Sequence, residues 1–417
     1  MQPAQLHPDA HEEGGLACNN EELLKQQREA ILGWVGSMGK KLFTGNFNLI
    51  NTPFPVVMFE PRSYLEKLAD VWVYPHFLLQ ASQTKDPVHR MKLVMTWFIA
   101  GLHHGFEKWK KPFNPILGET WQAELADGSS MFLEQISHHP PITAFNLEGP
   151  GGAYKFNGLS QPNVSLLLKH SGIRTVAKGY RYIVFADGCR IDLHYPGYSI
   201  KGVVYASRPR AEVEGSAVFV DAKNQLHGVL RFGGRKSARL PVLRRSDAVH
   251  GGIYDMRARQ SVELRNPQPQ GASSGGPGTQ AELSGTGEVG GGRSSNPGLQ
   301  PPGLLLQSLG AGGSGPSPRG VPTPHSSAGQ AQGLLSGLWL SHLDVGGERC
   351  WTLANEKPGT WQAVADALPS DSRYRQDLKL VKAGDIKEAQ AWKEALENVQ
   401  RRDKKLREAA GAASASH

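Results

Sequence analysis

Turn signals recur about every ten residues between Gly118 and Phe232, and this spacing constrains the fold more than any other feature. Asp127-Gly128, the glycines within 149–152 and Asp187-Gly188 each separate short runs in which polar and apolar residues alternate. Another turn is expected at 221–224. The pattern predicts an antiparallel meander, and about ten strands favour a barrel over a flat sheet. A barrel of that size can enclose a small-molecule cavity.

Helices are predicted on both sides of this β region, so the expected class is mainly β with flanking helices. The first helix would run from about residue 20 to 43, after capping-box spacing between Asn19 and Glu22. Its apolar face is predicted to comprise Leu24, Ile31, Val35, Met38 and Leu42. The glycines at 33, 36 and 39 each cost about 1 kcal/mol against alanine. A weak helix of this kind suits either an element that opens and closes or a docked helix with small residues at its contact.

Further helices are expected at 60–72, 86–106 and in the long charged segment after Asp385. The 86–106 helix is apolar on most faces, which indicates burial. In the last helix, Ala389, Trp392, Leu396 and Val399 are predicted to form the buried stripe.

Composition favours a protein of the reducing cytosol that meets acidic partners. The 417 residues carry a formal net charge of +8, which suits anionic membranes, phosphoinositides or nucleic acid. Cys18, Cys189 and Cys350 are far apart and form no C-x-x-C motif. The chain begins with no apolar signal sequence, and its longest apolar stretch, 93–102, is too short to span a bilayer. We expect a soluble protein with only peripheral membrane contact.

Composition also divides the chain. Residues 1–18 are expected to be disordered, and 19–265 to hold the lid, helices and main barrel. Residues 266–332 are rich in glycine, serine and proline, as is typical of disordered insertions. Residues 333–410 would complete the same domain, followed by a tail at 411–417. The basic run between Arg231 and Arg245 is expected to be either solvated surface or a contact for an anionic membrane.

The segment 134–141 reads Glu-Gln-Ile-Ser-His-His-Pro-Pro and is unusual for a strand. The prolines end or bend the strand, and a bend there would let His138 and His139 face one ligand. No partners with the spacing of a metal site are present. A Ser137/His138 nucleophile pair would need an elbow motif or a third group, and G-x-S-x-G is absent. Two alternatives remain from local chemistry: a structural histidine pair at the surface, which is the commoner case, and an anion-binding turn.

Two other segments carry cations at distinctive spacing. Residues 110–119 form a rigid turn in which Lys111 supplies charge and Asn114 an amide donor, a combination that suits phosphate. Lys393, Glu397 and Arg401 are four residues apart and share one helix face. That ladder is either ordinary ion pairing or two cations held for a phosphate by the acid between them.

These segments together resemble the oxysterol-binding protein family. Its E-Q-V-S-H-H-P-P signature differs from 134–141 only at Ile136, and its K-P-x-N-P-x-L-G-E block is similar to 111–119. The family's C-terminal D-S-R-x-R-P-D block resembles 371–377, with Gln376 in place of proline. In the last helix Lys393, Leu396, Glu397, Gln400 and Arg401 match the family pattern.

The resemblance implies a large antiparallel barrel that encloses a lipid tunnel under an N-terminal helical lid, with a C-terminal helix. It implies exchange of phosphatidylinositol 4-phosphate for a second lipid, either a sterol or phosphatidylserine, or phosphoinositide sensing without sterol transfer. The implied head-group residues are Lys111, Asn114, His138, His139, Lys393, Glu397 and Arg401. The implied lid and tunnel residues are Leu24, Ile31, Trp34, Val35, Met38 and Leu42.

The resemblance further implies a non-enzymatic monomer without cofactor or metal. It would be cytoplasmic and bind transiently to anionic membranes, at contacts among the endoplasmic reticulum, Golgi and plasma membrane. An esterase using Ser137 and His138 is the rival enzyme class. A nucleic-acid binder would need aromatics interleaved with the basic residues of a sheet, and here those residues cluster in a loop.

Overall fold

Antiparallel strands are the main secondary structure of the computed structural model, as the alternating pattern predicts. The structure describes residues 4–38, 54–167, 172–203, 206, 208–234, 244–257 and 330–414, which belong to one compact unit. Leu42, residues 235–243 of the basic run and most of the predicted insertion lie outside the described residues.

The strands extend from near the start of the chain, at Leu16, to Ala363. The strands in chain order are β1 (Leu16–Ala17), β2 (Phe59–Ser63), β3 (Lys111–Phe113), β4 (Thr120–Glu124), β5 (Ser130–His138), β6 (Pro141–Glu148), β7 (Tyr154–Leu167), β8 (Gly172–Lys178), β9 (Arg181–Phe185), β10 (Arg190–His194), β11 (Gly197–Lys201), β12 (Arg210–Asp221), β13 (Leu226–Phe232), β14 (Ala248–Asp255), β15 (Gln330–Leu338), β16 (His342–Val345), β17 (Glu348–Thr352) and β18 (Gln362–Ala363). The helices are α1 (Glu21–Met38), α2 (Tyr64–Ala69), α3 (Pro75–Gln83), α4 (Pro87–Gly101), α5 (Gln376–Ala383) and α6 (Ile386–Ser414).

Within the described residues, sixteen strands pair into one sheet whose main path runs β17-β16-β15-β14-β13-β12-β10-β9-β7-β6-β5-β4-β18. Strands β8 and β11 pair with each other and join the path through β7 and β12, and β1 pairs with β12. Most neighbours in the path are antiparallel hairpins, so the predicted turns at 127–128, 149–152, 187–188 and 221–224 all connect paired strands. The remaining two strands, β2 and β3, form a separate parallel pair.

The sheet curves around helix α4. This helix is buried on most faces and contacts β12, β13, β14, β16 and β17. Trp121 of β4 and Trp351 of β17 come from distant parts of the strand path, yet both belong to the hydrophobic cluster around the helix. A sheet whose distant strands share one core is barrel-like, and the predicted class, mainly β with flanking helices, is confirmed.

Some helix boundaries differ from the predictions. The helix expected at 60–72 begins at Tyr64, because Pro61 lies in β2 and the Ser63 side chain accepts a hydrogen bond from the Leu65 amide. The helix expected at 86–106 ends at Gly101 and continues as a 3-10 turn. The first helix is capped by Asn20, whose Oδ1 accepts from the Leu23 amide at 2.9 Å, and not by Asn19.

The prediction of disorder for residues 1–18 is wrong for residues 4–18. Strand β1 pairs with β12, and Leu16 is only 1% exposed. The Arg245 guanidinium donates to the carbonyls of His11 and Glu12 and pairs with Asp247 at 2.9 Å, so this member of the basic run is structural. A short polar segment gains order here because the sheet edge pairs its backbone and the core buries its few apolar residues.

The chain resumes beside the strand at which it left the sheet. Strand β15 pairs antiparallel with β14, and β15 begins at Gln330, slightly earlier than the predicted domain boundary at 333. Helix α6 extends to Ser414, so the predicted tail at 411–417 begins too early. Among the described helices, none is both long and apolar enough to cross a bilayer.

Replacing Leu16 by alanine tests the N-terminal segment. The side chain is 1% exposed in the main core, so we expect a loss of about 2–5 kcal/mol of unfolding free energy. Thermal unfolding followed by circular dichroism should show a melting temperature lower by several degrees. Leu6→Ala is the matched control, because Leu6 lies in the same segment and is 39% exposed. Equal melting temperatures for the two variants would contradict the burial of this segment.

Candidate functional site

A tight hairpin presents the two adjacent histidines. His138 ends β5 and pairs in register with Pro141 at the start of β6, so His139 and Pro140 form the turn, with a cis peptide bond between them. The two imidazole centroids lie 4.6 Å apart with their planes at 72°. The bend predicted at the prolines is therefore present, and it places the rings side by side.

Hydrogen bonds from neighbouring side chains hold the hairpin. The Ser137 hydroxyl donates to the Pro140 carbonyl at 2.7 Å, across the turn. The Gln135 amide donates to the Ser137 carbonyl at 2.7 Å, and its own oxygen accepts from the Thr143 hydroxyl at 2.7 Å. The Ser137 hydroxyl thus serves the backbone of the turn, not a neighbouring imidazole.

Both imidazoles are neutral at neutral pH. Burial, with a smaller contribution from His139, lowers the pKa of His138 to about 4. Burial also lowers the pKa of His139, and the ammonium group of Lys404 adds to the effect. Nδ1 of His138 is buried and has no hydrogen-bond partner among the described residues. A neutral ring with an unused nitrogen can exchange a hydrogen bond with a ligand at little further desolvation cost.

The turn predicted over residues 110–119 is wrong for Lys111, which lies in β3 and so belongs to the parallel pair with β2, whereas Asn114 follows directly after that strand. Nζ of Lys111 donates to Oδ1 of Asn114 at 2.6 Å, and it lies 4.7 Å from the centroid of the Phe59 ring. Burial, and then repulsion by Lys393, lowers the pKa of Lys111 to about 7. This ammonium group gives up its proton readily unless an anion approaches.

Helix α6 contributes the third part of the site. Lys393 is only 6% exposed, and its Nζ donates to Oε1 of Glu397 at 2.6 Å. The other carboxylate oxygen of Glu397 accepts from Nη2 of the exposed Arg401 at 3.2 Å. Glu397 therefore bridges the two cations. This is the arrangement in which an acid holds two cations, one of the two alternatives stated for the charge ladder.

The three segments converge on one another. Nζ of Lys393 lies 5.6 Å from the centroid of the same Phe59 ring that Lys111 contacts. The carboxylate of Glu397 acts on the pKa values of both Lys111 and His138. The Glu397 carboxylate thus has the ammonium groups of Lys111 and Lys393 and the His138 imidazole near it, an arrangement that suits a phosphorylated ligand.

A buried ion-pair network supports the turn, and sequence reasoning assigned it no role. The guanidinium of Arg375 donates to the Asn114 carbonyl at 2.9 Å and to Glu119 at 2.7 Å, and it pairs with Asp377 at 2.6 Å. Glu119 in turn accepts from the Ile116 amide at 2.9 Å. The signal was present, because Glu119 and Arg375 lie in the two blocks that resemble the family patterns.

A second, smaller hydrophobic cluster connects the site to α1. Its buried members are Val56, Met58, Phe59, Phe113, Leu378 and Ala389. Ala30 and Ile31 of α1 pack against it, and Trp34 stacks on Phe54 with ring centroids 4.3 Å apart. A groove of about 480 Å³ between α1 and α6 is lined by Trp34, Phe54 and the polar ends of Gln390 and Glu394.

The predicted lid residues fall into three groups. Ile31 and Trp34 lie beside the site, whereas Leu24 is buried near the start of α1. For Val35 and Met38 the structure describes only the helical backbone, and Leu42 lies outside the described residues. A Cβ at Gly33 or Gly36 would meet nothing within 4 Å, so these glycines are not small residues at a packed contact.

The predicted orientation of the last helix is wrong for two of its four stripe residues. Ala389 is fully buried, but Trp392 is 43% exposed and Val399 is 46% exposed. The helix instead faces inward with Lys393 because Phe59 and Glu397 accommodate its ammonium group. The Gln390 side chain also accepts from the Val56 amide at 2.9 Å, which fixes this rotation.

One cluster in the described part of the chain has metal-ligand spacing. Ligand atoms of His7, His103 and Glu107 lie within 4.8 Å of one another. Nδ1 of His7 already accepts from the Asp9 amide at 3.1 Å, and His104 lies 2.9 Å from the same Glu107 oxygen. For Nε2 of His7 to coordinate a metal, Nδ1 would have to carry the proton, which would break the Asp9 contact. The hydrogen bonds therefore favour a polar network over a metal centre.

Comparisons with known proteins agree on one family. The family model described as Oxysterol-binding protein matches residues 41–266 and 352–416. Oxysterol-binding protein 9 of Dictyostelium discoideum is 29% identical over 402 residues, which cover 95% of this chain and 79% of that protein. Human oxysterol-binding protein-related protein 5 is 30% identical over 219 residues, and the match spans only 24% of its length.

Solved structures share the fold. The Osh3 ORD of Saccharomyces cerevisiae, solved in complex with PI(4)P, aligns with a TM-score of 0.60 at 18% identity and covers 90% of this chain and 84% of that one. The Osh1 ORD domain, solved in complex with ergosterol, aligns with a TM-score of 0.59 at 16% identity. The alignment covers 94% of this chain and 90% of that one.

The pKa of Lys111 is a direct test of the site's geometry. We expect carbon NMR titration of the lysine ε-methylene groups to show one lysine with a pKa near 7, absent from the spectrum of Lys111→Arg. In Lys393→Met that pKa should rise, because a repelling ammonium group has been removed. An ordinary lysine pKa at this position, unchanged by Lys393→Met, would show that the two ammonium groups are not neighbours.

Proposed function

Because this chain belongs to the oxysterol-binding protein family, we propose that it is a lipid transfer protein that binds phosphatidylinositol 4-phosphate and exchanges it for a second lipid. The observation that carries this proposal is the convergence of three distant segments on one cationic site. Lys111 and Lys393 contact the same phenyl ring, and Glu397 links them to His138. A helix whose charged residues only form ion pairs at the surface would not need to lie beside the other two segments.

Each side chain has a distinct role in holding the phosphorylated inositol. Lys111 and Lys393 supply charge from partly desolvated positions, where attraction to phosphate is stronger than at an exposed surface. His138 and His139 act as neutral hydrogen-bonding groups, since burial lowers both pKa values. Asn114 adds amide donors, and Arg375 fixes the turn that carries it. Arg401, which is exposed, makes the outermost contact.

The lid would move without disturbing the barrel. Helix α1 is fixed near its start, where Leu24 is buried, and in its middle, where Ala30 and Ile31 pack on the small cluster beneath the phosphate site. The open space around Gly33 and Gly36 is consistent with a hinged, weakly stabilised helix. Transfer then requires no covalent step: the lid opens at a membrane, the lipid body enters the barrel, and burial at about 25 cal/mol per Å² offsets its removal from the bilayer.

A sterol is the second lipid that we propose. The support is the fold shared with the Osh1 domain solved with ergosterol. Phosphatidylserine is the alternative cargo, and phosphoinositide sensing without sterol transfer is the alternative activity. We propose no enzymatic role for Ser137, because its hydroxyl donates to the Pro140 carbonyl.

Substituting the two histidines tests the head-group assignment. In His138→Ala/His139→Ala we expect transfer of phosphatidylinositol 4-phosphate between liposomes to be nearly abolished, because two hydrogen-bonding groups beside the phosphate are lost. Transfer is measured with a fluorescent phosphoinositide reporter in acceptor liposomes, with and without sterol.

Circular dichroism should show that the double variant remains folded, since His139 is exposed in the turn and His138 is only half-buried at the end of β5. Tyr180→Ala, in another exposed turn, is the control and should retain transfer. Full transfer by the double histidine variant would contradict the head-group assignment. Stimulation of transfer by acceptor sterol would support exchange, and its absence would favour the alternatives.

A further inference from the structure

The outward face of α6 carries large apolar side chains that are exposed to solvent. Trp392, Val399 and Leu406 are 43%, 46% and 63% exposed. They are seven residues apart, so each lies within about 20° of the previous one around the helix. They form an apolar stripe of one residue every two turns, which faces away from Glu397 and has Arg402 and Asp403 between Val399 and Leu406.

Basic residues accompany this stripe. Residues 401–408 contain five arginines and lysines but only two acids. Arg402 lies 3.5 Å from Asp403, and Lys404 lies 3.7 Å from Glu408, so the two acids of this segment are neutralised locally. Lys405 and Arg407 are exposed and have no ion-pair partner in the described parts of the chain.

We propose that this face of α6 docks on the surface of an anionic membrane. A largely polar helix that has a tryptophan-containing apolar stripe, with arginine and lysine beside it, is suited to lie in the bilayer interface. The inference rests on the proposed function, which requires contact with a donor membrane.

Position within the fold favours a membrane over a second copy of the chain. The ammonium group of Lys404 acts on the pKa values of His138 and His139, so this part of α6 lies near the histidine hairpin. Docking through the outward face of α6 would therefore hold the phosphate site about one helix diameter, roughly 10 Å, from the bilayer surface. A coiled-coil dimer would need apolar residues between the stripe positions, where Arg402 and Asp403 stand, and Leu396 is already partly buried within the protein.

Vesicle binding tests the proposal without phosphoinositide. The variant Trp392→Gln/Val399→Gln/Leu406→Gln keeps good helix formers, and we expect it to bind phosphatidylcholine–phosphatidylserine vesicles at least about tenfold more weakly than the wild type. Lys405→Gln/Arg407→Gln should lose about tenfold or more on these vesicles and nothing on pure phosphatidylcholine. Leu334→Gln is the control, because Leu334 is 65% exposed on β15, and it should bind like the wild type.

Two further measurements separate the outcomes. Brominated lipid should quench the wild type more than Trp392→Phe, because the indole enters the interface. Short-chain soluble phosphatidylinositol 4-phosphate should bind the stripe variant as tightly as the wild type, since the head-group residues are unchanged. If the wild type binds vesicles through the stripe but does not bind the soluble lipid, the proposed function fails and the docking surface stands.

Unchanged vesicle binding by the stripe variant would overturn the inference. A shift from dimer to monomer in sedimentation, with vesicle binding unaffected, would also overturn it and would identify the stripe as a self-association face.

Discussion

Two ammonium groups, from Lys111 and Lys393, both lie within 6 Å of the centre of the Phe59 ring, at 4.7 and 5.6 Å, and the candidate site depends on this pairing. Like charges this close repel, and the low pKa of Lys111 expresses that repulsion together with the cost of burial. The Phe59 ring and the Glu397 carboxylate offset part of the repulsion. A dianionic phosphate would offset more of this repulsion. The site without ligand therefore has uncompensated positive charge, which favours binding of a phosphate.

The fold supplies the rigidity that such a site needs. The curved sheet fixes the histidine hairpin, and the Glu119–Arg375–Asp377 network fixes the lysine turn against the start of α5. Helix α6 is held by Gln390 and by the packing of Ala389. Helix α1 packs on the same small cluster that contains Phe59. Movement of the lid would therefore change the packing around a ring that lies beside the phosphate site.

Local pattern was enough to predict most of the sheet and the chemistry of the site. The alternation and turns between Gly118 and Phe232 specify hairpins, since short turns leave adjacent strands no other partner. The histidine turn and Asn114 lie beside prolines at the ends of strands, whereas Lys111 itself lies in β3. The resemblance to the family identified the residues of the last helix as part of the site. The structure places Lys393 and Glu397 near Lys111.

Features that depend on distant partners could not be predicted in this way. Periodicity identified the stripe of α6 as one face but not the direction in which it points, because that depends on whether Lys393 finds Phe59 and Glu397. Residues 4–18 looked disordered because their order comes from pairing with β12, almost two hundred residues away. Nothing in the sequence next to Arg375 indicates that its guanidinium group donates to the Asn114 carbonyl.

Proton uptake on binding tests the central claim most directly. With a pKa of about 7, Lys111 is mostly neutral at pH 8, whereas the lipid phosphate, with a pKa near 6, is already dianionic. Binding raises the pKa of Lys111, so calorimetry with short-chain phosphatidylinositol 4-phosphate in buffers of different ionisation enthalpy should show uptake of close to one proton. Lys111→Arg should bind without uptake. Tight binding by the wild type with no proton uptake would contradict the account, because the phosphate would then lie away from Lys111.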